Sequence, residues 1–156
     1  MGAIDHSVAT LRFFGDDLVP DEITALLGAS PTESCRKCQE LIGSKTGIVR
    51  ITKTGSWRLS AARREPEDLE AQIVEILGQL TQDLSVWESL ANYQPDLFCG
   101  LFMGSSNDGL TLSAKVLLSL GQRGIALGLD IYDVGDQGST LGPNNSFKPK
   151  PLRGSA

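Results

Sequence analysis

The sequence predicts an α+β domain, a mainly antiparallel sheet with helices packed on one face. Two observations carry that expectation. A pattern of apolar strand, glycine and acidic turn, amphipathic helix and closing glycine occurs twice, at residues 7–28 and 96–121. The segments between mix strand and helix signals without the strict alternation that builds a parallel sheet. Aligned on Gly28 and Gly121, the apolar positions Val19, Ile23 and Leu27 fall on Leu112, Val116 and Leu120. The order β-α-β-β-α-β-β-α-β then suggests two split βαβ-like units as a pseudo-repeat, ferredoxin-like in outline.

Residues 7–14 alternate Val8, Thr10, Arg12 and Phe14 against Ala9, Leu11 and Phe13, the period of a half-buried strand. Pro20 suits a first helical position, and Asp21 and Glu22 complement the positive end of the helix dipole. Ile23, Leu26 and Leu27 supply the apolar stripe, and Gly28 the stop. Residues 29–47 are polar and irregular and read as a loop. The β-branched and aromatic runs 48–53 and 56–61 flank Thr54-Gly55 and suggest a hairpin. A long helix opens after Glu65-Pro66-Glu67-Asp68, with Leu69, Ile73, Ile76, Leu80, Leu84, Trp87 and Ala91 at spacings of three or four. Thr81-Gln82-Asp83 is the place where it would break, since Thr and Asp favour caps.

Residues 97–103 are strongly apolar and read as a central strand, followed by a turn at 104–109 and a brief strand at 110–112. Ser113 caps a helix that runs to about Arg123, with Gly124 as its stop. The last strand, 125–132, sends Leu127, Leu129 and Ile131 toward the core and Gly128, Asp130 and Tyr132 away from it. Residues 1–133 thus form one domain. Residues 134–156, rich in Gly, Pro, Ser and Asn, read as a flexible C-terminal tail that cannot offset its ordering entropy.

The bulk numbers fit a globular domain, with 40% apolar and 21% charged residues. A net charge of -5 argues against nucleic acid, whose phosphates need a clustered basic surface. No run approaches the ~20 apolar residues that span a bilayer, and the N-terminus lacks the basic start of a secretory signal. A cytoplasmic protein with no membrane association is the expectation.

The chemical inventory is thin. Three cysteines, an odd number, make no disulfide framework. Cys35 and Cys38 enclose Arg36 and Lys37, which would favour a thiolate, but the motif lies in a polar stretch rather than between a strand and a helix. It reads as an incidental pair, and Cys99 as a small core residue. With His6 as the sole histidine, a zinc tetrad is out of reach, so neither a metal nor another cofactor is expected. Asp16, Asp17, Asp21 and Glu22 are explained by helix capping. Asp130, Asp133 and Asp136 recur every third residue, which on a strand separates them onto different faces. No nucleophile elbow, phosphate loop or zinc-protease motif is present, so no catalytic residue is assigned.

What remains is the sheet face opposite the helices. The alternation gives it Thr10, Arg12, Phe14, Asp130 and Tyr132, while Trp57 belongs either there or in the core. Arg and aromatic side chains are the usual anchors of protein interfaces, so Arg12, Phe14, Trp57, Asp130 and Tyr132 are the candidate binding residues. Arg12 and Asp130 should project to one side, and pair if their strands are neighbours.

The strings LRFFGDDLVPDEITALLGASPTES, GSWRLS and PDLFCGLFMGSSNDGLTLSAKVLLSLGQRGIALGLDIY together resemble a bacterial family numbered 4279 among domains of unknown function. The resemblance runs over about residues 8–132, and its most specific parts are GDDLVPDEI, DLFCG and LGLDIY. It implies a shared fold and a bacterial cytoplasmic setting, without an established activity. Small acidic families of this kind can serve as immunity proteins, so the resemblance points toward a protein partner. The leading expectation is a non-catalytic protein-binding module, immunity-like in character. One alternative is an enzyme or small-ligand binder using the Asp-rich strand ends and Arg12. Another is a homodimer whose polar face is its own interface.

Overall fold

The computed structural model describes residues 2–133. Its strands are β1 (Gly2–Ala3), β2 (His6–Gly15), β3 (Glu33–Cys35), β4 (Glu40–Ile42), β5 (Val49–Ile51), β6 (Gly55–Ser60), β7 (Asp96–Phe102), β8 (Asp108–Gly109) and β9 (Ala126–Tyr132). The helices are α1 (Pro20–Leu27), α2 (Leu69–Gly78), α3 (Leu84–Ser89) and α4 (Ala114–Gln122), with a short 3-10 turn at Ala91–Tyr93. Five strands form one sheet in the order β3-β6-β2-β7-β9, in which only β7 and β9 are parallel. The α+β class and the mainly antiparallel sheet follow the patterning. The tail expected at 134–156, together with Asp136, lies outside the described residues.

The core forms on one side of the sheet. Ala9, Leu11, Phe13, Trp57, Leu59, Leu97, Cys99 and Leu101 alternate inward from three strands and meet Ile23 and Leu27 of α1, Leu69, Ile73 and Ile76 of α2, Trp87 of α3, and Val116 and Leu120 of α4. Each fully buried Leu, Ile, Val or Phe among them stabilises the fold by about 1.5–3 kcal/mol relative to exposure. Trp57, which the sequence left between core and open face, is completely buried. It meets Phe13 edge to face at 5.7 Å, and its indole N–H donates to the Thr24 hydroxyl at 3.0 Å. One buried polar group bridges the layers. Gln72 of α2 accepts from the Ser7 hydroxyl at 2.7 Å and donates to the carbonyls of Ser7 and Ala62, both at 2.9 Å.

The helix ends are where their residues put them. Pro20 opens α1, and Gly28, at φ 83°, closes it in the left-handed conformation. Asp68, Asp83 and Ser113 cap α2, α3 and α4 through side-chain acceptors. The long helix therefore breaks, ending at Gly78 just ahead of the Thr81-Gln82-Asp83 step and resuming after Asp83. Gly124, at φ 65°, ends the turn after α4, whereas Gly121 lies inside the helix. The second unit of the repeat is thus about one turn longer than the alignment on Gly121 implies.

Several expectations change. Both copies are strand–helix–strand units, but only the first is split, because β6 inserts between β2 and β3. In the second, β7 and β9 are direct parallel neighbours joined through α4, so the sheet departs from the ferredoxin-like order. The supposed loop at 29–47 holds β3 and β4. These strands are three residues each and too polar and short to show a period. The runs flanking Thr54-Gly55 do not pair with each other. β5 pairs with β4, while β6 pairs with β3 and β2. The brief strand expected at 110–112 lies two residues earlier, as β8, where it pairs with β1.

The central strand is β2, with β7 beside it, and β9 forms one edge. That edge position overturns the core assignment of Leu129 and Ile131. They share a face with buried Cys99 and Leu101, but α4 does not reach over them, and they are 46% and 59% exposed. Leu127, nearer the helix, is half-buried against the core.

Candidate functional site

Among the described residues, no helix covers the other side of the five-stranded sheet. On β2 this side carries His6, Val8, Thr10, Arg12 and Phe14. Pairing adds Arg58 from β6, Asp96, Phe98, Gly100 and Phe102 from β7, and Gly128, Asp130 and Tyr132 from β9. Of the five candidate residues, Arg12, Phe14, Asp130 and Tyr132 lie on this face. Trp57 lies on the opposite side, where its pairing with Phe13 turns it into the core.

Arg12 is the best-fixed charge here. Its Nε donates to Asp96 Oδ1 at 2.8 Å and its Nη2 to Oδ2 at 2.6 Å, with both side chains about a quarter exposed. The guanidinium lies 4.5 Å from the ring centre of Phe98 and 5.2 Å from that of Phe14. The hydrogen bonds that Arg12 donates to Asp96, partly opposed by desolvation, hold the guanidinium above its ordinary value, so its charge is permanent. The expected partner, Asp130, is on the same face but two strands away, because β7 separates β2 from β9. Asp130 instead accepts the Tyr132 hydroxyl at 2.7 Å. That bond, then desolvation and the carboxylate charge, push the Tyr132 phenol up to about 12.

Three rings extend across the strands next to it. His6 stacks on Phe102 at 4.1 Å and Phe102 on Tyr132 at 4.5 Å, with planes within 11° of parallel. His6 is therefore part of the sheet. Its Nδ1 is hydrogen-bonded to Asp5 at 2.7 Å, and no serine or cysteine among the described residues bonds to it. Gly100 lets these side chains approach, since a Cβ there would lie 2.8 Å from a methyl of Val8 and 3.3 Å from the Phe102 ring. Between this ladder and Arg12 lies a cleft of about 640 Å³, bounded by Thr10, Arg12, Arg58, Phe98, Gly128 and Asp130.

Arg58, Phe98 and Phe102 carried no mark in the sequence analysis. The alternation of GSWRLS places Arg58 opposite Trp57, and Phe98 and Phe102 alternate against Leu97, Cys99 and Leu101. The signal was present, but a run apolar throughout hides which residues face away from the core.

The cysteines stand apart. Cys99 is buried, and desolvation pushes its thiol up to about 12. Cys35 is half-buried, its sulfur 3.3 Å from the Ser56 hydroxyl, while Cys38 is exposed in a turn at φ 60°. Among the described residues no three His, Cys, Asp or Glu side chains group so as to hold a metal ion. No helix there is long and apolar enough to cross a membrane.

A family model described as Domain of unknown function (DUF4279) matches residues 5–134 of the chain. No curated protein and no solved structure matches it.

Proposed function

The chain belongs to the DUF4279 family, and from that premise we propose a non-catalytic protein-binding module whose contact surface is the helix-free face of the sheet. The observation that carries the proposal is the grouping of Arg12, Phe14, Phe98 and Arg58 beside the stacked Phe102 and Tyr132. Aromatic and arginine side chains dominate interface energetics, and the rings provide large contact area at low entropic cost. The rigid sheet beneath them fixes that surface before a partner arrives. The net charge of -5 favours encounter with a basic partner, which suits an immunity-like role in the bacterial cytoplasm.

The test is a comparison of complexes recovered on the wild-type chain, on Phe98→Ser and on Val74→Ser, with folding of each confirmed by circular dichroism. Val74 is exposed on α2, on the helical side. A partner held by wild type and Val74→Ser and lost by Phe98→Ser supports the proposal. A partner that ignores Phe98→Ser and is lost by Val74→Ser means that binding uses the helical side, and the proposal fails.

A further inference from the structure

A second cleft, of about 440 Å³, lies where the β4–β5 hairpin stands beside the β3 edge of the sheet. Arg50, Lys53 and Arg58 all line it, against a single carboxylate, Glu33. Three cations around one cleft are out of keeping with a chain of net charge -5. Among the described residues none of the three forms an ion pair, in contrast to Arg12, Lys37, Arg63 and Arg64, each of which has a carboxylate partner. Arg58 is the most constrained of them. It pairs across the sheet with Arg12 on one side and Glu33 on the other, and its guanidinium lies 5.5 Å from the Phe14 ring centre. Its Nε is buried without a hydrogen-bond partner. What the guanidinium offers to the cleft is its charge and its terminal nitrogens, which no carboxylate among the described residues neutralises, and an anion is the group that matches them.

The wall of the cleft is held in place. Thr52 joins β5 to the turn before β4, through backbone bonds to Cys38 at 2.8 Å and Gln39 at 3.0 Å and a hydroxyl bond to the Arg36 carbonyl. Lys37 ties that turn to Asp16 at 2.6 Å. The remaining lining supplies apolar surface from Phe14, Leu41 and Ile51.

We propose that this cleft binds a small organic carboxylate, its charged end on Arg58 with Arg50 and Lys53, and its apolar body against Phe14, Leu41 and Ile51. A guanidinium that offers two parallel donors matches a carboxylate, and the apolar wall distinguishes an organic acid from an inorganic anion. The cleft shares Phe14 and Arg58 with the partner-binding face but adds Leu41, Arg50, Ile51 and Lys53, and neither Phe98 nor Tyr132 lines it, so Phe98→Ser separates the two readings.

The experiment is an amide-resolved NMR titration of the full chain with phenylacetate, with its neutral amide, phenylacetamide, as control. The expected result is saturable shifts confined to residues 14, 33–35, 41, 50–54, 56 and 58, with affinity reduced about tenfold or more in Arg58→Gln, the loss of one charge-assisted pair. Arg50→Gln should weaken binding less, since that side chain is exposed. Equal binding of phenylacetamide overturns the proposal, as does an affinity unchanged by Arg58→Gln or the absence of saturable shifts. A chain that binds phenylacetate here and no protein partner supports this site while refuting the interface reading, and the converse separates them equally well.

Discussion

Arg12 and Arg58 face each other directly across β2 and β6, and both guanidinium groups approach the Phe14 ring. Like charges set opposite on neighbouring strands repel. Asp96 neutralises Arg12, whereas no carboxylate among the described residues is bonded to Arg58. The two arginines therefore have different consequences when removed. Arg12→Ala strands a half-buried Asp96 carboxylate and should cost about 1–3 kcal/mol. Arg58→Ala relieves the repulsion and loses a ring contact, for a change within about 1 kcal/mol. Urea denaturation of the two variants checks the order. An Arg12→Ala chain as stable as wild type would remove the structural role assigned to the Asp96 pair.

Gln72 should be the most sensitive polar position. Replacing it with Ala removes the side-chain partner of the buried Ser7 hydroxyl and carbonyl and of the more exposed Ala62 carbonyl. A loss of about 2–3 kcal/mol is expected, from unsatisfied polar groups plus the cavity. The reading is the shift in the denaturation midpoint at unchanged slope.

Tyr132 sets a high-pH dependence. Because its phenol is raised to about 12 in the fold, against 10.0 ordinarily, the neutral form is the one the fold favours. Its contribution is complete below pH 10 and disappears as pH rises through about 12. In a Tyr93→Phe background, phenolate absorbance should therefore appear late. Asp130→Asn, which removes the carboxylate, should bring the transition back toward 10. Ionisation at the ordinary value in the folded Tyr93→Phe chain would show that the Asp130 contact is not maintained.

The thiols should separate by reactivity. Cys38 is exposed and Cys99 is buried with its thiol raised to about 12, so Ellman's reagent should label the first at once and the second only after unfolding. Changing Cys35 and Cys38 together to Ser should leave stability within about 0.5 kcal/mol. A large loss would assign the Cys35–Ser56 contact a structural part.

The legible parts of the fold were those with a strong local signal. Pro20, Gly28 and Ser113 mark helix ends by backbone chemistry that operates wherever the chain goes. The alternation of β2 likewise gave Arg12 and Phe14 their correct face. What escaped depends on neighbours. Leu129 has the pattern of a core residue, and its exposure follows only from β9 being an edge that α4 does not overhang. Asp130 and Arg12 share a face, but the strand between them was invisible until the order was known. β3 and β4 are so short that their existence depends on partners distant in sequence, and the cleft they border was hidden with them.

The position of β2 has a consequence for how the chain is made. Arg12 at the middle of the sheet pairs with Arg58 on one side and Asp96 on the other, so both neighbours of the central strand emerge from the ribosome much later than it does. Until Asp96–Phe102 is synthesised, Leu11 and Phe13 have no complete sheet to join, and an apolar strand with two unpaired edges must wait. During that interval the nascent chain is open to chaperones and to wrong pairings, and Arg12 sets a charge on the outer side of a strand whose inner side is apolar.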